Sequence, residues 1–464
     1  MVRVYNESDC EITGIQYNSA KIEKDNLFVA IKGFTTDGHK YIPSAAQKGA
    51  VAIVCQEYCP DVSCTQIIVD DSRVAEAQIS ANFFGNPADK FKLIGVTGTN
   101  GKTTCTYLIK KILEYCGYKV GLIGTNQNMI GDKVFETGRT TPDSFELWQL
   151  FRQMADENVD YVVMEVSSHA LELSRVYGCK FCVGAFTNLT QDHLDFHKTM
   201  ENYAFAKQKL FDISDAAVIN TDDEYGSKMA QKCDCDILTY GIGGQADLRA
   251  EDIKLTESGV EFTVDDLQYS LDIPGKFSIY NALCAIGVCK KCGLDDEIIS
   301  HALKSANGVK GRAEVVNTNT DYTVMIDYAH TPDGIENILN TVRGFAKGRV
   351  TILFGCGGDR DNTKRPIMGS VAGKLADFCI ITSDNPRSEN PMDIINMIEP
   401  SVKETGTPYV VIPDRREAIK YALQNGKKGD VIVLAGKGHE TYQILSDGVI
   451  HFDEREVIHE ILDN

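Results

Sequence analysis

The sequence predicts an α/β protein of two to three domains, built largely on doubly wound parallel sheets. Three observations carry that prediction. The chain has 464 residues, too many for one ordinary hydrophobic core. From residue 91 onward, short apolar runs alternate with helix-period segments, the pattern of strand–helix–strand units. Beyond residue 316 five more apolar runs are separated by helical segments, and in such sheets ligand-binding loops follow the carboxyl ends of strands.

In chain order, residues 1–88 hold the strand-like runs "LFVAI" and "AVAIVC" and one helical stretch, "RVAEAQISANFF". "GNPADK" (85–90) concentrates turn residues and reads as a linker. Next come "KLIGVTG", the helical "TTCTYLIKKILEYCG" and "KVGLIG", followed by "DYVVMEVSS", "CVGAFTNL" and "AAVINTDD", buried strands ending in polar residues. A second boundary falls near "SANGVKGRAEVV" (305–316). After it "TVMIDYAH", "RVTILFGCGG", "FCIITSDNP", "YVVIPD" and "DVIVLAGKG" are the strands of another doubly wound unit. The expected domains are 1–88, 89–311 and 312–464, with no repeat of fixed period.

Composition narrows the function. The chain is 43% hydrophobic and 24% charged, as a globular protein is. A net charge of −19 argues against a nucleic-acid partner. No apolar run approaches the roughly 18 residues of a membrane span, and "MVRVYNESDCEITG" lacks the apolar region of a signal peptide. The expectation is a soluble, cytoplasmic protein with no membrane span. The fifteen cysteines, spread over this length, read as reduced core thiols. Two C-x-x-C pairs, Cys179–Cys182 and Cys289–Cys292, lie 106 residues apart without accompanying histidine spacing, which disfavours structural zinc.

The strongest local signal is "GVTGTNGKTTCTYLI" (95–109). A strand enters a glycine turn and Lys102-Thr103-Thr104 opens a helix. Backbone N–H groups of such a turn cradle phosphate, Lys102 neutralises it, and the Thr103 hydroxyl suits Mg²⁺. The spacing is shorter than the general phosphate loop: Val96 stands where its first glycine belongs, leaving Gly98 and Gly101 in G-x-x-G-K-T. Glu165 ends the strand "VVMEVSSHAL" and is expected to face the loop, and His193 follows the strand before "TNLTQDHLDFH". Both are candidate Mg²⁺ ligands, because this ion takes few protein ligands alongside phosphate and water oxygens. No convincing Ser-His-Asp or Cys-His constellation appears.

In order along the chain, "TGTNGKTT", "MEVSSHAL", "FTNLTQDHLDFH", "AFAKQKLF", "PGKFSIYNALCAI", "GRAE", "IDYAHTPD", "FGCGGDRD", "SDNPR" and "GKGHE" resemble the Mur ligase family essentially end to end. These are ATP-dependent enzymes that add amino acids to the peptidoglycan precursor. The resemblance implies three domains: an N-terminal one for the UDP-sugar, a central phosphate-loop ATPase and a C-terminal Rossmann-like one for the incoming amino acid. It implies cytoplasmic work in cell-wall biogenesis, and through it in cell shape and division, by a monomer.

It also implies roles, residue by residue. Gly98, Thr99, Asn100, Gly101, Lys102, Thr103 and Thr104, with Asn281, Arg312, Asp327 and His330, would bind ATP. Thr103, Glu165 and His193 would serve Mg²⁺, and Lys207 would support a second Mg²⁺ after carbamylation by CO₂. Lys102, Lys207 and His193 would be the catalytic groups. Ser19, Thr140, Thr141, Ser168 and Arg175, with the "GFTTDG" loop (33–38), would hold UDP-N-acetylmuramoyl-L-alanyl-D-glutamate. Where the family usually has "DSR", this chain reads Asn18-Ser19-Ala20, so an arginine contact at position 20 is missing.

Finally, Arg360, Asp384, Asn385, Pro386, Arg387, Gly436 and Glu440 would bind the amino acid. "DNPR" marks the members that add meso-diaminopimelate, while lysine-adding members replace the arginine. On residue chemistry alone, Arg387 suits bidentate pairing with an extra carboxylate, or pairs with nearby Glu389 on the surface. The reaction implied is amide formation through an acyl phosphate. The rivals are the same ligation with L-lysine, a folylpolyglutamate-synthetase-like ligase, and a binding paralogue that has lost catalysis. The N-terminal domain, "EVSSHAL" and "DNPR" disfavour the second. The presence of Lys102, Glu165 and Lys207 disfavours the third.

Overall fold

A computed structural model of the chain describes residues 2–33, 36–135, 137–256, 259–306 and 308–463. Phe34 and Thr35 of the "GFTTDG" loop lie outside the described residues. The chain forms two compact units, one of residues 1–93 and 119–181, the other of 94–118 and 182–464.

In the first unit a five-stranded sheet runs in the order Arg3–Tyr5, Thr65–Ile68, Ala50–Cys55, Asn26–Val29, Gly14–Gln16. Only Arg3–Tyr5 is antiparallel to its neighbour. Ala50–Cys55 is a continuous β-branched and small apolar run with Ile53 and Val54 fully buried, as a parallel strand covered on both faces must be. Helix Ser72–Phe83 starts where the Asp71 carboxylate accepts from the N–H groups of Arg73 and Val74, satisfying two orphan donors. It packs on helix Ser144–Asp156. Strand Tyr161–Glu165 is parallel to Val120–Ile123, which continues into the antiparallel strands Asn128–Ile130 and Lys133–Phe135.

In the second unit, the strand ending at Thr97 pairs in parallel with Phe181–Phe186, placing Thr97 opposite Phe186. The chain then turns into helix Lys102–Tyr115, whose buried face includes Leu108, Ile109, Ile112 and Leu113. That helix packs on Lys276–Lys291, so apolar that its centre has no exposed face. Ser214–Asn220 and Asp236–Gly241 are a further parallel pair. An antiparallel meander follows (Glu251–Leu255, Val260–Val264, Leu267–Leu271).

The six-stranded sheet of this unit has the order Glu314–Val316, Thr323–Asp327, Val431–Ala435, Val350–Phe354, Phe378–Ile381, Tyr409–Val411. All five strands expected after residue 316 are present and parallel, with Glu314–Val316 added antiparallel at the edge. Alternating side chains fill two cores, one on each face. Ile352, Phe354 and Val433 join one with Ile335 and Ile338; Leu353, Ile432 and Leu434 join the other with Ala418 and Ile419. The last strand, Val431–Ala435, lies between the first and second of the five. Three adjacent carboxyl ends, after Ala435, Phe354 and Ile381, therefore open on one edge, where doubly wound sheets bind ligands.

Candidate active site

The phosphate loop is shaped by two glycines that no other residue could replace. Gly98 has φ +151° and a Cβ there would lie 1.8 Å from Thr187 Oγ1; Gly101 has φ +85° and its Cβ would lie 2.5 Å from Asn281 Oδ1. Thr187 and Asn188 brace the loop: Thr187 Oγ1 donates to Asn100 O at 2.6 Å, and Asn188 Oδ1 accepts from Asn100 N at 2.9 Å. Lys102 Nζ reaches back to the carbonyls of Gly98 (3.0 Å) and Thr99 (2.9 Å).

A second ammonium reaches the same loop. Lys207, on helix Met200–Gln208, donates to Gly98 O at 2.7 Å and is only 1% exposed, so it is no solvated helix charge. Burial holds its pKa well below the usual lysine range, and the nearby Lys102 ammonium adds to that effect; Asp192 pulls the other way.

The residues expected to hold ATP converge. A cavity of about 410 Å³ is lined by Asn100, Gly101, Thr104, Asn281, Arg312 and Asp327. Arg312 donates to Thr103 Oγ1 at 2.9 Å and its guanidinium lies 4.6 Å from the Tyr328 ring centre. Asp327 Oδ2 accepts from Ala313 N at 2.7 Å. His330 Nδ1 lies 2.8 Å from Tyr328 O, and its Nε2 turns to Asp192 at 3.7 Å. Thr99 Oγ1 donates to Thr190 O at 3.2 Å. Among the lining residues not singled out in the sequence are Asp222 and Tyr280. Asp222 accepts from the N–H groups of Ile242, Gly243 and Gly244 and from Tyr280 OH, fixing a glycine turn and a tyrosine at the cavity wall.

His193 has φ +55° and begins the short helix Leu194–His197. Among the described residues no three His, Cys, Asp or Glu side chains come together as a metal site. By residue type, the Thr103 hydroxyl and His193 imidazole of the second unit and the Glu165 carboxylate of the first are donors that suit Mg²⁺ better than zinc. Fully buried Glu165 holds its two oxygens toward Thr125, accepting from its N–H (2.8 Å) and Oγ1 (2.9 Å). The approach is close because residue 124 is glycine: a Cβ there would lie 2.5 Å from Glu165 Oε1.

The first unit carries the residues expected for the UDP-sugar dipeptide. Thr141 Oγ1 donates to Glu165 O (2.9 Å), Arg175 Nη1 donates to Thr141 O (3.1 Å), and Arg175 Nε lies 2.7 Å from Asp143 Oδ1. Tyr17, two residues before Ser19, donates to Asp143 Oδ2 at 3.3 Å and to Glu146 Oε1 at 3.0 Å. One polar chain thus ties Tyr17 to Glu165. Thr140 shares a 3.0 Å hydrogen bond with Thr125, and Ser168 is buried at the start of helix Ser168–Glu172. Ser19 opens a single 3₁₀ turn capped by Asn18, whose Oδ1 accepts from Ala20 N at 2.9 Å. Position 20 therefore supplies only a methyl group and a backbone donor.

At the edge of the six-stranded sheet, loops after three neighbouring strands bring together the residues expected for the amino acid. Arg387 has φ +53° and donates through Nη1 to Gly358 O at 2.9 Å. Glu389 does not pair with it; Arg365 takes both Glu389 oxygens at 2.8 Å each. Arg387 has no carboxylate ion-pair partner among the described residues, and burial lowers its pKa with exposed Arg360 contributing. Asp384 and Glu440 are buried nearby; Asp384 Oδ1 has no hydrogen-bond partner among the described residues but lies 3.7 Å from Lys437 Nζ. Fully buried Lys437 was missed in the sequence; its Nζ bonds Glu440 Oε2 (2.9 Å) and Asn385 Oδ1 (3.1 Å). Asn385 Nδ2 also donates to Glu440 Oε2, at 2.8 Å. Pro386 carries the backbone into the turn, and Gly436, with φ +115°, passes so close to Asp384 that a Cβ would lie 3.1 Å from its Oδ2.

Residues 11–88 match the Mur ligase family catalytic domain, 96–289 the Mur ligase middle domain, and 311–438 the Mur ligase glutamate ligase domain. The chain belongs to the Mur ligase family. This Mur ligase is 55% identical, over 97% of its length and 95% of the relative's, to the UDP-N-acetylmuramoyl-L-alanyl-D-glutamate–2,6-diaminopimelate ligase of Caldanaerobacter subterraneus subsp. tengcongensis. It is 53% identical to the protein of the same name from Clostridium botulinum, over 98% of this chain and 96% of that one. Among solved structures, a UDP-N-acetylmuramoyl-L-alanyl-D-glutamate–2,6-diaminopimelate ligase superposes with a TM-score of 0.68 at 30% identity, covering 98% of this chain and 97% of that chain. No helix among the described residues is long and apolar enough to cross a membrane.

Proposed function

We propose that this Mur ligase joins meso-2,6-diaminopimelate to the D-glutamate carboxylate of UDP-N-acetylmuramoyl-L-alanyl-D-glutamate, at the cost of ATP, in peptidoglycan precursor synthesis. Residues 1–88 take the UDP end of the sugar nucleotide, 89–311 the ATP, and 312–464 the amino acid. A carboxylate is a poor acylating agent because its leaving group would be oxide. Phosphoryl transfer from ATP replaces that oxide with phosphate, and the amine of diaminopimelate then attacks the acyl phosphate carbon and expels inorganic phosphate.

Each group of side chains has a role in that sequence. The loop amides and Lys102 meet the transferring phosphoryl group, where preorganised donors stabilise the charge that moves between oxygens. Mg²⁺, served by Thr103, Glu165 and His193, would supply further neutralisation of phosphate charge. Buried Lys207, with its pKa held down, is suited to react as the neutral amine with CO₂; the carbamate would carry a carboxylate-like charge to a second Mg²⁺. Thr141 and Arg175 orient the dipeptide end. The Arg387 guanidinium takes the extra carboxylate of diaminopimelate, and the acidic side of the pocket, Asp384 and Glu440, takes the ammonium beside it.

The observation that carries this reading is the Arg387 guanidinium, which has no carboxylate ion-pair partner within contact distance among the described residues, with the buried acids Asp384 and Glu440 near enough to act on it electrostatically. Lysine would bring no carboxylate to pair with it directly. The test is inorganic phosphate release by the purified chain with ATP, the UDP-sugar dipeptide and either diaminopimelate or lysine. Release that requires the sugar nucleotide and diaminopimelate together supports the reading. Equal release with lysine, or release with a folate and glutamate instead, overturns it.

A further inference from the structure

Beside the candidate metal ligand His193 sits a carboxylate that none of the roles above uses. Asp192 is 5% exposed, yet each of its oxygens faces donors. Oδ1 accepts from His193 N at 3.0 Å and from Lys364 Nζ at 3.3 Å. Oδ2 lies 3.4 Å from His193 Nε2 and 3.7 Å from His330 Nε2. Lys364 is itself buried at 6% exposure and opens helix Lys364–Leu375. Next to this pair, Gln191 Nε2 donates to Thr363 Oγ1 at 2.9 Å. The segment that carries His193 is thus tied at two successive residues to loops of the six-stranded sheet.

His193 needs such support. At φ +55° it occupies the left-handed region, which a residue with a Cβ enters only at a conformational cost. Asp192 bonds the His193 N–H and lies against its ring, so one side chain fixes both the backbone turn and the imidazole. A buried carboxylate opposite a buried ammonium is also unforgiving: removing either charge leaves the other uncompensated.

We propose that Asp192 is a positioning residue for the ligation, fixing the His193 turn and seating it against Lys364 and His330. It acts as outer-shell partners of metal ligands do, setting where the ligand stands without touching the metal. The inference rests on the ligase reading for what His193 serves, while the Asp192 contacts stand by themselves.

The test uses the full chain with Asp192→Asn, which keeps an oxygen for the His193 N–H and removes the charge opposite Lys364. Two quantities are read: steady-state kinetics of ligation, and binding of Mn²⁺, a paramagnetic stand-in for Mg²⁺, to the enzyme–ADP complex by electron paramagnetic resonance. The expected result is a fall in kcat of roughly 10- to 100-fold with a Mn²⁺ dissociation constant raised about tenfold, and KM for ATP moved by less than about threefold. Unchanged kcat and Mn²⁺ binding overturn the proposal. So does lost kcat with unchanged Mn²⁺ binding, which marks a merely structural ion pair. Should Asp192→Asn not fold, Lys364→Gln removes the opposing charge from the other side, and the same two outcomes decide. Wild-type chain in the same assay separates the readings: no ligation by wild type sinks the ligase reading, while the Mn²⁺ comparison still judges Asp192.

Discussion

Arg365 holds Glu389 through two hydrogen bonds of 2.8 Å, from Nη1 and Nη2 to the two carboxylate oxygens. That pairing takes away the acid nearest to Arg387 in sequence. Among the described residues Arg387 donates to the Gly358 carbonyl at 2.9 Å and to the more distant Asn385 carbonyl at 3.4 Å. A guanidinium hydrogen-bonded to carbonyls, with no carboxylate in direct contact among the described residues, is suited to an anionic ligand.

Discrimination between amines follows. Wild-type kcat/KM for diaminopimelate is expected to exceed that for lysine by roughly 10⁴-fold, the scale of a site built around a polar group that one substrate lacks. Arg387→Ala should lose most of the diaminopimelate turnover and leave ATP binding nearly unchanged. Comparable kcat/KM for the two amines on the wild type would mean that Arg387 does not read the extra carboxylate.

Lys102 is expected to matter to chemistry more than to folding. Its ammonium donates to two carbonyl oxygens of its own loop, at 3.0 and 2.9 Å, and these neutral acceptors can turn to water or ligand when the side chain is removed. The variant should keep a wild-type melting temperature and lose at least about 100-fold in turnover, the scale of one preorganised electrostatic donor. Turnover near wild type in the folded variant would refute the phosphate-loop assignment.

For Lys207 the decisive experiment is chemical rescue. Lys207→Ala should be nearly inactive, and small carboxylates such as formate or acetate should restore part of the activity by occupying the carbamate's place. Intact-mass and crystallographic inspection of the wild type provide the second check. Full activity in the alanine variant, or a lysine without added CO₂ in well-ordered density, would exclude the carbamate.

Stability should carry a pH signature from Glu76. It lies on helix Ser72–Phe83, is 4% exposed, and its Oε1 has no hydrogen-bond partner among the described residues. Burial, with Asp143 and Glu146 adding like charge, pushes its carboxyl up to about 8. The native chain then keeps a proton that the unfolded chain releases near the ordinary glutamate value. Between that value and about 8 the folded state binds more protons, so stability falls as pH rises through the window. Glu76→Gln should therefore melt higher than wild type at about pH 9, with the advantage shrinking toward about pH 5. A melting difference that does not vary with pH would contradict this.

Much of the site was legible because its signals are local. The phosphate loop needs glycines at two positions with unusual φ and a lysine at the helix start, and "GTNGKT" puts them within six residues. The parallel strands announce themselves as short β-branched runs; Asp327 is the last residue of one, and Arg360 and Arg387 lie in the loops after two others. The meander of residues 251–271 has no counterpart in the sequence reading, although "VEFTV" and "LQYSL" alternate apolar and polar residues and bury Val260, Phe262, Val264, Tyr269 and Leu271; only its first strand, Glu251–Leu255, lacks that pattern. Thr187, Asn188 and Lys437 were overlooked because a threonine, an asparagine and a lysine near strand ends have many uses until the partner is known.

What the sequence determined by itself is the order of strands and helices, the phosphate loop with its lysine, and the residue types available for metal, nucleotide and amino acid. These depend on backbone conformations and spacings set within a few neighbours. Only the tertiary structure decided which charges are already spoken for. Asp192 meets Lys364 across 172 residues, and Arg365 reaches Glu389 across 24, while Arg387, two residues from that glutamate, has no carboxylate in direct contact among the described residues. An ion pair depends on distance and burial in space, and neither is written in the separation along the chain.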